Sequence, residues 1–188
     1  MKKIGLILVG VIGVIAVIAM MVMSSYNGLV AKDESVKQAN AKIEAALQRR
    51  SDLIPNVVES AKGYMSHESE IFEKIAEARS KIGSGDKQTK ADGEGELSSA
   101  ISRLLVVQEN YPQLKADTHV SSLMAELEGT ENRIFVARKD YNEVATNYNK
   151  SIRQFPTSMI ATVFGFKRAE LIEADKDARV VPKVNLRD

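Results

Sequence analysis

The run RRSDLIPNVVES, residues 49–60, holds the side chains of this sequence best suited to buried charge chemistry. Ile43, Arg50 and Val57 are spaced by sevens, so a helix through them turns Arg50 toward the side of its apolar neighbours. A guanidinium taken out of water is stable only beside a carboxylate that accepts its hydrogen bonds. Glu131 is the candidate. It interrupts an apolar stripe one turn after Leu127, and in a helix antiparallel to the first it lies at the height of Arg50. Arg138 interrupts the same stripe one heptad on, and Asp52 is a candidate partner for it or for Arg133. Arg50, Asp52, Glu131 and Arg138 therefore read as a structural polar cluster, because an inward ion pair sets helix register more often than it performs catalysis. The competing reading lets the arginines snorkel past an apolar rim into water. Pro55 cannot donate to the Ser51 carbonyl, and Ile54 cannot cap a new helix. With the apolar stripe in phase on both sides, Pro55 reads as a kink in one continuous helix.

Other chemistry is hard to assemble. There is no cysteine, which removes disulfides, thiolate metal sites and thiol nucleophiles, and only His67 and His119 supply imidazole. His67-Glu68 has no second histidine at helical spacing, so it is no zinc motif. GSGDKQTK lacks the order of a phosphate-binding loop, and no serine has a neighbour able to act as its base. The expectation is no catalytic residue, no cofactor, no metal and no enzyme activity. With 26 basic against 25 acidic residues no field points to nucleic acid. Tyr141-Asn142 and Tyr148-Asn149 repeat a two-residue step one heptad apart; tyrosines on an inward stripe read as packing, with hydroxyls that need partners.

The elements that must position these residues are helical. Ile4 to Met23 carries no charged or polar side chain. About 20 residues at ~1.5 Å each give ~30 Å, the thickness of a hydrocarbon core. A membrane anchor over residues 1–25 is expected, against the alternative of a cleaved signal peptide. Lys2 and Lys3 precede the span without an acid beside them, which by the positive-inside rule keeps the N-terminus cytoplasmic and exports the rest to the periplasmic or extracellular side.

Beyond the anchor, Val36, Ile43, Val57 and Tyr64 mark a long first helix and Ile71, Phe72, Ile75, Ala78 and Ile82 a second. The glycine-rich GSGDKQTKADGEGE, residues 83–96, reads as a mobile loop. A third helix runs through Leu97, Ile101 and Leu104 to Tyr111, where Pro112 stops it. Val120, Leu127, Ile134, Tyr141, Tyr148 and Phe155 form a strict heptad on a fourth. Four striped helices with short connections predict an all-α fold, a transmembrane helix followed by an antiparallel up-and-down four-helix bundle over residues 26–168; an intermolecular coiled coil is the competing use of the heptad. The tail, residues 169–188 with its proline-broken ARVVPKVNL, is expected to be extended.

FPTSMIATVFGFKR, residues 155–168, follows the fourth helix back toward the membrane. Met159, Ile160, Val163, Phe164 and Phe166 group there beside Lys167 and Arg168, the make-up of an interfacial amphipathic segment; alternatively these side chains plug the end of the bundle.

The runs IEAALQRRSDLIPNVVESAKGYMSHE, QENYPQLKAD and LEGTENRIFVARKDYNEVATNYNKSIRQFP, with the later FGF, resemble the bacterial LemA family across nearly the whole chain after the anchor. Matching positions include Arg50, Asp52, Pro55, Glu131, Arg138, both tyrosine-asparagine steps and Phe155-Pro156. The resemblance implies a membrane-attached antiparallel helical bundle without established catalysis. The function expected is a scaffold or interaction module of the cell envelope, engaging a protein partner or its own copies; the alternative is a bilayer-engaging protein that organises or remodels membrane.

Overall fold

The computed structural model describes residues 2–172, with side chains for all of these except residues 2–7 and 87. The ARVVPKVNL tail and everything from residue 173 onward lie outside the described residues. The described chain is all-helical: α1 (Lys2–Lys62), α2 (Ser69–Ser84), α3 (Lys87–Val107), a single 3-10 turn (Gln108–Asn110), α4 (Pro112–Ala116), α5 (Thr118–Ser151) and α6 (Thr157–Val163).

The 61-residue α1 joins the apolar run and the first striped helix without a break. Its side chains from Leu8 to Met23 are largely exposed on every side, and a segment of it is long and apolar enough to cross a membrane. From Leu29 onward burial collapses to one stripe, Leu29, Val36, Ala39 and Ile43. Pro55 lies inside α1 on its exposed side, while Ile54 and Val57 beside it are buried, so the missing backbone bond faces solvent.

The described residues divide into two compact units, one of residues 2–43 and 137–172, the other of residues 44–136. In the second unit one core gathers Ile54, Val57 and Ala61 of α1, Ile71, Phe72 and Ile75 of α2, Leu97, Ile101 and Leu104 of α3, and Val120, Met124 and Leu127 of α5. Each of these side chains larger than alanine contributes roughly 1.5–3 kcal/mol by leaving water. Ion pairs and one hydrogen bond give the helix directions. Lys81 meets Glu96 and Arg103 meets Glu70, so α2 and α3 run oppositely. Arg49 with Glu126 and Tyr64 with Asp117 do the same for the end of α1 and the start of α5.

Residues 83–96, expected to be a loop, are mostly helix. Only Gly85 and Asp86 connect α2 to α3. The Asp86 side chain caps α3 by accepting from the Thr89 amide at 2.8 Å. A Cβ on Gly85 would meet Thr89 Cβ at 2.5 Å and the Lys81 carbonyl at 2.7 Å; one on Gly93 would lie 3.1 Å from the Ala78 carbonyl and from Ile82 Cγ1. Gly93 thus serves as bare backbone on which α2 rests, and close packing overrides its poor helix propensity. Pro112 does not end the third helix: α3 closes at Val107, and Pro112 opens α4 in the first-turn position, where its missing N–H costs nothing. The α5 heptad is buried from Val120 to Tyr148, but the helix ends at Ser151 and leaves Phe155 on the surface.

Asp117 joins two helix ends. Its Oδ1 accepts from the amides of His119 at 2.9 Å and Val120 at 3.2 Å, capping α5, while Oδ2 accepts from the Tyr64 hydroxyl at 2.8 Å just past α1. The Tyr64 hydroxyl, followed by the Val120 amide, holds the Asp117 carboxyl below the usual carboxylate range. A depressed folded pKa means stability fully present above the unfolded value near ~3.9 and lost as pH falls through the folded one. Asp117→Asn keeps an acceptor but not the charge, so the wild-type melting temperature should fall more than the variant's between pH 5 and pH 2, read by thermal denaturation at each pH. Parallel curves would contradict the assignment.

Candidate functional site

In the second unit, Arg50 is 1% exposed. Its Nη1 donates to Glu131 Oε1 at 3.1 Å and to Ser98 Oγ at 2.8 Å, and Ser98 in turn donates to Glu131 Oε2 at 3.0 Å. Nη2 forms an ion pair with Glu94. One guanidinium thereby ties α1 to α3 and α5, with two carboxylates around a single positive charge. Asp52 is not among these partners: it is exposed and accepts from Gln48 at 2.9 Å. Arg138 is half-buried on the part of α5 that belongs to the first unit. Glu94 escapes sequence reasoning because residues 83–96 look like a loop, and Ser98, in the expected third helix, carries no signal of its own. Their i, i+4 spacing is a helical signal only once that run is taken as helix.

In the first unit, α5 holds an extended segment that follows α6. Tyr148 donates to the Lys167 carbonyl at 2.9 Å, and Asn149 both donates to the Ala169 carbonyl and accepts from the Ala169 amide at 2.9 Å. One heptad earlier the pattern repeats: Tyr141 donates to the Glu170 carbonyl at 2.8 Å, and Asn142 bonds the Ile172 carbonyl at 2.8 Å and amide at 2.9 Å. The paired tyrosine-asparagine steps are a clamp for backbone, satisfying groups that a segment without helix or sheet would otherwise leave to water. Burial, ahead of the nearby Asp33 carboxylate, raises the Tyr148 pKa, so its hydroxyl stays a neutral donor. Lys32 reaches Ser151 across the same unit.

The juxtamembrane candidates split into two groups. Ile160 and Ala161 are buried against the unit, and Phe166 is half-buried. Met159, Val163 and Phe164 are exposed, as are Lys167 and Arg168. Tyr26 of α1 packs on Phe164 with ring centroids 4.8 Å apart and on Phe166 at 5.9 Å.

Two measurements probe these arrangements. Arg50→Met should destabilise the protein by about 3–5 kcal/mol because it leaves two carboxylates facing each other in a largely buried site. Adding Glu131→Gln should restore part of that, with a coupling of about 0.5–3 kcal/mol in a double-mutant cycle by denaturant unfolding; additive losses would refute the pairing. Asn142→Ala together with Asn149→Ala should make the Ala169 and Ile172 amides exchange quickly with solvent deuterium while helix content stays constant. Unchanged protection there would mean that the clamp does not hold the segment.

The sequence profile of the LemA family matches residues 39–186. Protein LemA of Metamycoplasma hominis is 28% identical over 156 residues, covering 82% of this chain and 71% of that protein. Magnetosome protein MamQ 2 of Paramagnetospirillum magneticum is 29% identical over 179 residues, covering 81% of this chain and 66% of that protein. Magnetosome protein MamQ of Magnetospirillum gryphiswaldense is 26% identical over 176 residues, with 79% and 65% covered. The chain thus spans about two thirds of the length of the magnetosome relatives that it matches. The matched region contains the Arg50 cluster and both tyrosine-asparagine steps, and over it the chain belongs to the LemA family.

Proposed function

We infer that this is a membrane-anchored scaffold of the bacterial cell envelope, without catalytic activity, which presents a helical surface to a protein partner or to its own copies. In this reading residues 4–23 span the bilayer with the N-terminus cytoplasmic, and α1, α2, α3 and α5 form an antiparallel up-and-down bundle on the outer side. The observation that carries it is α1, in which an apolar run of bilayer length and a packed amphipathic stripe are one unbroken helix. Helix continuity gives the anchor no flexible linker, which suits a body held at a fixed height rather than a tethered enzyme that samples substrates.

A second reading, a bilayer-engaging protein, is favoured by the exposed apolar side chains of α6. Crosslinking the full chain in intact membranes, followed by purification, separates the two. A stoichiometric protein partner or a self-crosslinked species supports the scaffold, and lipid alone overturns it. Phe135 and Val136, exposed side by side on α5, are the first surface to alter. Phe135→Ser should reduce the crosslinked yield severalfold and leave the melting temperature unchanged.

A further inference from the structure

We propose that α6 and its flanks form an amphipathic foot that binds the surface of an anionic bilayer, with Phe155, Met159, Val163 and Phe164 at the boundary of headgroups and acyl chains. This rests on the reading of residues 4–23 as a span and adds a second, peripheral contact with the same membrane.

Three observations converge on it. The first is burial. Within α6 the buried side chains are Ile160 and Ala161, yet Phe155 is 82%, Val163 78% and Met159 64% exposed. Grouped large apolar side chains left in water call for a covering surface. The second is height. Tyr26 lies three residues beyond Met23, the last apolar residue of the run, which is about 4.5 Å along a helix. The headgroup layer on each face is roughly 5–7 Å deep, so Tyr26 sits within it if α1 stands upright. Phe164 and Phe166 pack on that ring, which sets the foot at the same level. Aromatic side chains are at home there. The third is charge. Residues 150–168 contain Lys150, Arg153, Lys167 and Arg168 and no acidic residue, although the chain as a whole is balanced to +1. A local excess of cations beside apolar side chains is the complement of anionic phosphate over acyl chain. A protein partner would satisfy the apolar exposure but leaves the height and the basic rim without a reason.

The chain contains no tryptophan, so a single introduced one reports its own surroundings. Full-length Phe155→Trp and Phe164→Trp are placed in nanodiscs of anionic lipid carrying bromine at shallow or deep acyl positions. Ile12→Trp, within the apolar run, and Phe135→Trp, on the second unit, serve as the two references. Both foot reporters should be quenched most by shallow bromine and Ile12→Trp most by deep bromine, with Phe135→Trp unaffected. Replacing anionic with zwitterionic lipid, or introducing Arg153→Gln, Lys167→Gln and Arg168→Gln together, should at least halve the foot quenching. If Ile12→Trp is quenched while both foot reporters behave like Phe135→Trp, the foot is overturned and the anchor stands. Without quenching of Ile12→Trp, the anchor reading falls and takes the foot with it. A blue-shifted but unquenched foot reporter means that protein covers the patch, which also overturns the proposal. Since Phe164→Trp could disturb packing on Tyr26, Val163→Trp, on a side chain with wide exposure, repeats the measurement independently.

Discussion

A single helix whose side chains pass from apolar on every side to apolar along one stripe governs much of what surrounds it. Along its first part α1 presents apolar side chains on all sides, which water disfavours and hydrocarbon accepts, and from Leu29 it presents only a stripe. A helix satisfies its own backbone in water and in hydrocarbon alike, so no break is needed where the side-chain pattern changes. The cost of the change falls on the side chains instead. Tyr26, beside the start of the stripe, is where α6 and its aromatic neighbours gather.

Polar groups inside the two units are handled in different ways. In the second unit one guanidinium is held by Glu131, Glu94 and Ser98, and losing it leaves two carboxylates in a largely buried site without their cation. Such a cluster discriminates strongly between the native register and a slipped one, because a shift of one turn separates Arg50 from Glu94 and Glu131 together. In the first unit the segment after α6 is held by neutral groups, with tyrosine hydroxyls and asparagine amides meeting backbone. Each of those bonds is worth only about 0.5–1.5 kcal/mol net, so they position a segment without making its loss fatal to the fold.

The sequence disclosed these features unevenly. Helical period and antiparallel height suffice to bring Arg50 and Glu131 to the same place, since both are properties of spacing. Glu94 is hidden by composition: glycine, aspartate and lysine favour a loop locally, and the packing of α2 against Gly93 that tips the run into helix is a tertiary fact. Phe155 fits a heptad that the helix no longer has, because periodicity fixes phase but not length, and α5 stops four residues earlier. The tyrosine-asparagine repeat is plain in the sequence. What it binds is not, since backbone carries no sequence signature.

That repeat also acts as a measuring scale. Seven residues of helix advance about 10 Å, and three residues of extended chain advance about 9–10 Å. The two periods therefore coincide, and steps at 148–149 and 141–142 meet the segment at 167–169 and again at 170–172. A segment sliding along α5 finds a matching position only after three residues, so the register is quantised although the two steps bond only its backbone. What the scale demands is an N–H at positions 169 and 172, which excludes proline at those two places and leaves the identity of the residues between them open.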